Sequence, residues 1–281
     1  MTSAPPAALD AAAIRAQARE ENFPVASRLF PRDVRRHLVN VYGFARLVDD
    51  IGDEATGDRQ AILDWLSSEL DEAFGGGSPS HPLMVALAET VRERSLPRAP
   101  FDRLVEANRQ DQVVGRYETF DALRAYCALS ANPVGELVLR ICRAWNPARG
   151  ALSDDVCTGL QLVEFWQDLG EDAEKGRLYV PLEDVRRFDL SPDDLASAAG
   201  GAAFVALMRF EAERTRALLA RGRELSRSLR GRVGLAVRLY TAGGLAGLDD
   251  LQRRSFDTFG ENAHATRWRR AWTTMKELTR R

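Results

Sequence analysis

The sequence predicts an all-α protein, and three observations carry that prediction. Apolar residues recur at three- and four-residue spacings through most of the chain, no series of alternating strand segments appears, and no strand-helix-strand rhythm can be found. The periodicity is plainest in "DVRRHLVNVYGFARLVDDI" from Asp33, "RQAILDWLSSELDEAF" from Arg59 and "AFVALMRFEAERTRALLARGRELSRSL" from Ala203. Breakers mark the joints: Pro24, Pro31, "GGGSPSHP" at Gly75 to Pro82, "LPRAP" at Leu96 to Pro100, "NPARG" at Asn146 to Gly150, and Gly200 with Gly201. "GGGSPSHP" is the most linker-like, but between two helical patterns it reads as a surface loop. With no fixed repeat, residues 1–281 are expected to form a single helical domain whose first roughly dozen residues are flexible.

The composition of the 281 residues, 45% hydrophobic and 28% charged, is that of an ordinary soluble globular protein. A formal net charge of -2 argues against a nucleic-acid binder that relies on bulk positive charge, leaving local basic patches open. Cys127, Cys142 and Cys157 form no C-x-x-C pair and are odd in number, so they are expected to be core thiols in a reducing compartment, the cytoplasm. The N-terminal stretch lacks the basic and apolar regions of a secretory signal, and no apolar run is long enough for a membrane span.

The chemistry concentrates in two acidic ladders. "EFWQDLGEDAEKGRLYVP", Glu164 to Pro181, holds five carboxylates in its first eleven residues. Glu164, Asp168 and Asp172 are successively four apart within a helical pattern that begins near Ser153, which stacks them on one face with about 6 Å of rise between neighbours. In "RLVDDIGDEA", Asp49 and Asp53 repeat the spacing, with Asp50 and Glu54 offset by one. Facing solvent, such ladders would cost only a few tenths of a kcal/mol per pair. Facing inward, charges about 4 Å apart would repel by roughly 4 kcal/mol at an effective dielectric of 20. Hard divalent cations would supply the missing counter-charge, and magnesium in particular is bound jointly by carboxylates, water and phosphate. Arg46, four before Asp50, and Lys175, Arg177 and Tyr179 after the second ladder are suitable partners for a diphosphate.

At these residues the chain resembles the squalene/phytoene synthase family of head-to-head prenyl synthases. Four stretches carry the resemblance: "VYGFARLVDDIGDE" (41–54), "DQVVGRYETFDALRAYCALSANPVG" (111–135), "LQLVEFWQDLGEDAEKGRLYVP" (160–181) and "LYTAGGLAGLDDLQRRSFDTF" (239–259). The resemblance implies an isoprenoid synthase fold, a helical domain around a central active-site cavity. It implies that Asp49, Asp53, Asp168 and Asp172 bind magnesium and, through it, a prenyl diphosphate. It further implies that Arg46, Asn22, Gln161, Lys175, Arg177 and Tyr179 serve the diphosphate end and that Tyr126 and Tyr240 lie near the reacting end. Phe44, Phe165 and Trp166 are candidates for a cation-stabilising wall, although core packing is the more economical reading of each. His37, His81 and His264 fall in no matched motif, are expected to be structural or surface residues, and no general base is assigned.

The departures narrow the resemblance. Where the family usually carries a His-Ser-Lys-Ser-Phe-like run, this chain has "REENF", Arg19 to Phe23, followed by Pro24; the usual Ala-Gly-x-Val-Gly segment is "ANPVG"; and the usual Asn-Ile-Leu-Arg-Asp run is "EFWQD", with Gln167 replacing an arginine and Glu164 a magnesium-binding asparagine. These substitutions resemble the hydroxysqualene synthase branch of bacterial hopanoid pathways. That branch ionises presqualene diphosphate and captures the rearranged cation with water, which implies a functional link to a presqualene diphosphate synthase. Glu164 would remain an oxygen ligand. A site holding one diphosphate rather than two tolerates the lost hydroxyl and arginine contacts. Two rivals stand beside this reading: condensation to presqualene diphosphate, squalene or phytoene, and a non-catalytic helical subunit. A lipid substrate suggests peripheral contact with the inner face of the membrane, and the sequence sets no oligomeric state.

Overall fold

The computed structural model describes residues 30–196 and 201–259. The N-terminal dozen residues, the "REENF" stretch with Asn22, and His264 lie outside them. Within the described residues the secondary structure is helical, apart from an isolated parallel bridge between Arg116 and Leu178. The chain divides into two compact units, Met1–Val113 with Pro133–Asn146, and Val114–Asn132 with Pro147–Arg281. It therefore leaves the first unit at Val113, returns at Pro133 and leaves again after Asn146.

In the first unit, α1 (Arg32–Asp53) packs on α2 (Arg59–Gly75), α3 (Pro82–Arg94) and α4 (Ala99–Gln110). The periodicity from Asp33 produces a buried stripe of Leu38, Val41, Phe44, Leu47, Val48 and Ile51. Each of these side chains contributes roughly 1.5–3 kcal/mol by leaving water. Phe44 meets Phe101 of α4 edge-on, with ring centroids 5.2 Å apart, and so takes the core role. Asp58 caps α2 by accepting from the Ala61 N–H at 3.1 Å, and Gly76 in the left-handed region ends that helix. His81 caps α3 by accepting the Leu83 N–H, while His37 is buried with its Nδ1 3.0 Å from Thr90 Oγ1. Both histidines are structural, as their positions outside the motifs suggest. "GGGSPSHP" is the α2–α3 loop, and "LPRAP" joins α3 to α4. The body of α6 (Asn132–Ile141) returns to this unit with buried Leu137, Leu139 and Ile141.

In the second unit the long helices α7 (Pro147–Gln167), α11 (Gly201–Ser228) and α12 (Gly231–Arg253) pack on one another, and α5 (Phe120–Ser130) lies against α7. Thr119 caps α5 by accepting the Ala122 N–H at 3.1 Å. "NPARG" does not act as a simple break: Pro147 opens α7, a position where its missing N–H is harmless, so the helix starts six residues before Ser153. Three short helices follow, α8 (Leu169–Glu174), α9 (Leu182–Arg187) and α10 (Pro192–Ala196), with α8 packed against α7 and α10. Trp166 is fully buried in this core and donates its indole N–H to Thr215 Oγ1 at 2.9 Å; Thr215 in turn donates to the Glu211 carbonyl. Of the three free cysteines only Cys127 is buried; Cys142 and Cys157 are partly accessible, because helical position rather than residue type decides their depth.

Candidate active site

The first ladder projects from the last two turns of α1. Asp49 and Asp53 are exposed, yet the protein surrounding Asp49 removes so much hydration that its carboxyl is pushed up to about 7, with the Asp53 charge adding to the effect. Arg46 forms an ion pair with Asp50 at 2.7 Å and a longer one with Glu54 at 3.3 Å, and its charge lowers the Asp49 carboxyl. The offset acids thus hold Arg46 beside the ladder, a part of the pattern that spacing alone left undefined.

A set of residues absent from the sequence reading supports this ladder. Asn108 of α4 donates its side-chain amide to Asp49 Oδ1 at 3.4 Å and to the Leu104 carbonyl at 3.2 Å. Gly52, one turn beyond Asp49, leaves the room Asn108 needs: a Cβ there would lie 2.0 Å from Asn108 Oδ1. Gln112 donates to the carbonyls of Gly52 and Asn108, and Arg59 donates to the Asp53 carbonyl at 2.9 Å. The one signal available in the sequence was a glycine inside an otherwise strongly helical, apolar-striped segment.

The second ladder does not lie on one uninterrupted helix. Asp168, with φ -97° and ψ 6°, separates α7 from α8, and the turn there buries Leu169 and Gly170. A Cβ on Gly170 would lie 2.6 Å from the Thr258 carbonyl oxygen, so a tertiary contact fixes the break. The helical register nevertheless survives it, because the Asp168 N–H donates to the Glu164 carbonyl and the Asp172 N–H to the Asp168 carbonyl, both at 2.8 Å. Glu164 is exposed and accepts from Gln161 at 3.4 Å. Loss of hydration, then the charge of Asp168, pushes Asp172 up to about 7, against the opposing charges of Lys175 and Arg177.

The end of α8 explains why "KGR" follows the carboxylates. Gly176 adopts φ 76°, the Arg177 N–H reaches back to the Asp172 carbonyl at 2.8 Å, and the Gly176 N–H reaches the Ala173 carbonyl at 3.0 Å. This is a Schellman turn, and it folds Arg177 back toward the acidic ladder. Lys175 pairs with Glu171 at 2.9 Å. Beyond the turn the chain runs extended: the Leu178 N–H donates to the Gly115 carbonyl at 2.8 Å and the Leu182 N–H to the Tyr117 carbonyl at 2.9 Å.

That pairing assembles four buried rings. Phe165 stacks on Tyr179 with centroids 3.8 Å apart and planes 5° from parallel; Tyr126 lies 5.9 Å from Tyr179 and 6.2 Å from Phe165; Tyr117 lies 5.3 Å from Tyr126. Tyr126 and Tyr179 are thereby brought together, and Phe165 joins them, buried like its neighbour Trp166. Tyr117 was not singled out from the sequence. Tyr240, on α12, is partly exposed, and loss of hydration pushes its phenol up to about 12.

The donor set fits a hard divalent cation. In each ladder one carboxyl, that of Asp49 and that of Asp172, is pushed up chiefly by loss of hydration, with the charge of its ladder neighbour adding to the effect, and a bound cation would offset both. Among the described residues no three Asp, Glu, His or Cys side chains converge to cage a metal by themselves. Magnesium does not require such a cage, since it keeps waters and takes phosphate oxygens.

Comparison with solved structures defines the class. The chain matches the crystal structure of squalene synthase HpnC from Alicyclobacillus acidocaldarius with a TM-score of 0.84 and 39% identity, over 89% of this chain and 95% of that one. It matches a dehydrosqualene synthase with a TM-score of 0.81 over 96% and 95% of the two chains, at 22% identity, which speaks to the fold alone. The protein has the all-α isoprenoid synthase fold. The Squalene/phytoene synthase family model matches residues 16–271, and the chain belongs to that family of head-to-head prenyl synthases. Its relatives include Hydroxysqualene synthase of Zymomonas mobilis, 33% identical over 226 residues (78% of this chain, 74% of the relative), and Phytoene synthase of Arthrospira platensis, 28% identical over 271 residues (89% and 85%).

Proposed function

We propose that the protein is a magnesium-dependent hydroxysqualene synthase that ionises presqualene diphosphate, lets the carbocation rearrange, captures it with water and releases diphosphate. The observation that carries this reading is the join, within eighteen residues, of an under-compensated acidic ladder to a buried aromatic stack: Asp168 and Asp172 lead through the Gly176 turn to Tyr179, against Phe165. Departure of diphosphate needs positive charge at one end, and the cation left behind needs aromatic faces and little water at the other.

The ladder of Asp49 and Asp53, and that of Asp168 and Asp172 with Glu164, would each hold magnesium, which supplies Lewis-acid stabilisation of the leaving group. Arg177, folded back by its backbone bond to Asp172, and Lys175 add donors for the phosphate oxygens. Arg46, oriented by Asp50 and Glu54, places a further positive charge beside Asp49. Tyr126, Phe165 and Tyr179 would offer their ring electrons to the cation. The choice of presqualene diphosphate as substrate is supported by Glu164 and Gln167 in "EFWQD", by "ANPVG", and by similarity to Hydroxysqualene synthase of Zymomonas mobilis. Such an enzyme works downstream of one that couples two prenyl diphosphates.

A second reading, the coupling itself, draws support from similarity to Phytoene synthase of Arthrospira platensis over 89% of the chain. One experiment separates the two. The protein is incubated with magnesium and presqualene diphosphate, without nicotinamide, and the product identified by gas chromatography and mass spectrometry. Hydroxysqualene is the expected product. Untouched presqualene diphosphate, with farnesyl or geranylgeranyl diphosphate consumed instead, would establish coupling; consumption of none would indicate a non-catalytic subunit.

A further inference from the structure

The chain is mildly acidic, with a net charge of -2, but its charge is unevenly spread. From Arg221 to Arg238, across the end of α11 and the start of α12, six arginines accompany one acid, Glu224. Arg221 is engaged by Asp155 at 3.3 Å and by Glu224 at 3.0 Å. Arg223, Arg227 and Arg238 are exposed, line a cleft of about 500 Å³ with no carboxylate among its described lining residues, and make no ion pair with a described residue. Arg149 adds a further cation at this end of the fold, donating to the Ser228 carbonyl at 2.6 Å.

Leu225, Leu229 and Ala236 are buried and hold the turn between the two helices; Arg227 also meets the negative end of α11, and the three guanidinium groups repel one another across the cleft. Their repulsion is relieved by an extended anionic surface, and the planar, weakly hydrated guanidinium is well matched to phosphate oxygens.

We propose that Arg223, Arg227 and Arg238 form a docking surface for the phosphate headgroups of an anionic bilayer. The occupant is a membrane rather than a soluble polyanion because, on the functional reading above, substrate and product carry long apolar chains that reside in lipid. The inference rests on that reading for its partner and on the arginine cleft for its location. Arg238 stands two residues from Tyr240 on α12, so the surface and a candidate site residue belong to one helix.

The test is sedimentation of the full chain with vesicles of phosphatidylcholine containing phosphatidylglycerol, against phosphatidylcholine alone. The wild-type chain should sediment with the anionic vesicles only and be released by high salt, which shortens the screening length. Each Arg→Gln change should weaken vesicle binding about fivefold, and the triple variant about 100-fold, from the usual contribution of a basic residue near a charged leaflet. A triple Arg→Lys variant should still bind. Wild-type chain left in the supernatant, equal binding to both vesicle types, or a sedimenting Arg→Gln triple variant would overturn the proposal. Release by millimolar inorganic phosphate at constant ionic strength would also overturn it, in favour of a discrete phosphate site. Turnover in detergent is measured in parallel. Arginine-dependent sedimentation without turnover of presqualene diphosphate would leave the surface standing and remove the functional reading, and turnover without sedimentation would do the reverse.

Discussion

Gly52 and Asn108 are fitted to one another: the absence of a side chain on one is what admits the amide of the other to Asp49. Gly52→Ala is therefore expected to displace Asn108 and weaken magnesium binding about 10- to 100-fold, the usual effect of losing a group that orients a metal ligand. Titration calorimetry with magnesium and pyrophosphate reads this directly. Asn108→Leu should behave alike, and wild-type magnesium affinity in both would show that the contact does not position Asp49.

Phe165 lies flat on Tyr179, so its ring matters where a cation forms and little where substrate merely binds. Phe165→Leu should lower kcat about tenfold with KM nearly unchanged, as expected for a cation–ring interaction of about 1–2 kcal/mol made only in the transition state. Tyr179→Phe keeps the stack and should retain most of the rate. Steady-state kinetics on both variants decides the matter, and a change confined to KM would assign the stack to binding.

Gly176 at φ 76° closes the turn that carries Arg177. Gly176→Ala should cost about 1–2 kcal/mol from left-handed strain, seen as a lower urea midpoint with an unchanged slope. Turnover should fall as well, because Arg177 shifts. A stable variant with reduced turnover would indicate that the turn relaxes without unfolding, and full activity would detach Arg177 from the chemistry.

Thr215 is the acceptor for the buried Trp166 indole. Thr215→Val leaves that N–H without its partner and should cost about 1–3 kcal/mol. Adding Trp166→Phe removes the stranded donor, so the double variant should lose less than the sum of the two single changes. Additive losses in a denaturant-measured double-mutant cycle would rule out the coupling.

Glu211 is fully buried beside Arg214 and Asp184. Loss of hydration pushes its carboxyl up from 4.5 to about 8, against the lowering charge of Arg214. The folded state therefore holds a proton that the unfolded chain releases near 4.5, so this group's effect on stability declines as pH rises from about 4.5 to about 8 and is constant outside that window. Glu211→Gln should flatten the melting temperature across this range. A profile as steep as the wild type's would place the pH dependence elsewhere.

What the sequence revealed follows the range of the forces involved. The stripes of α1, α2 and α11 were legible to within two residues because burial repeats with the helix itself. Both carboxylate ladders were legible because four-residue spacing is local. The break at Asp168 was not, since aspartate is no strong breaker and the turn is fixed by the Thr258 backbone packing on Gly170. Nor was the ring cluster, which gathers Tyr117, Tyr126, Phe165 and Tyr179 through the pairing of two extended segments. Asn108 on α4 carries no local signal, because its contact with Gly52 and Asp49 joins two helices far apart in the chain.

The chain's departure from the first unit at Val113 and its return at Pro133 impose an order on biosynthesis. A ribosome that has released residue 113 has delivered the first acidic ladder and its amide support, but the closing helix of that unit is still to come. Meanwhile α5 emerges with no α7 to rest on. Neither unit can complete itself as a contiguous stretch of nascent chain, so the first ladder is expected to gain full protection from proteolysis only after residue 146 clears the exit tunnel. A cut after residue 113 would separate the first unit from its closing segment, residues 133–146.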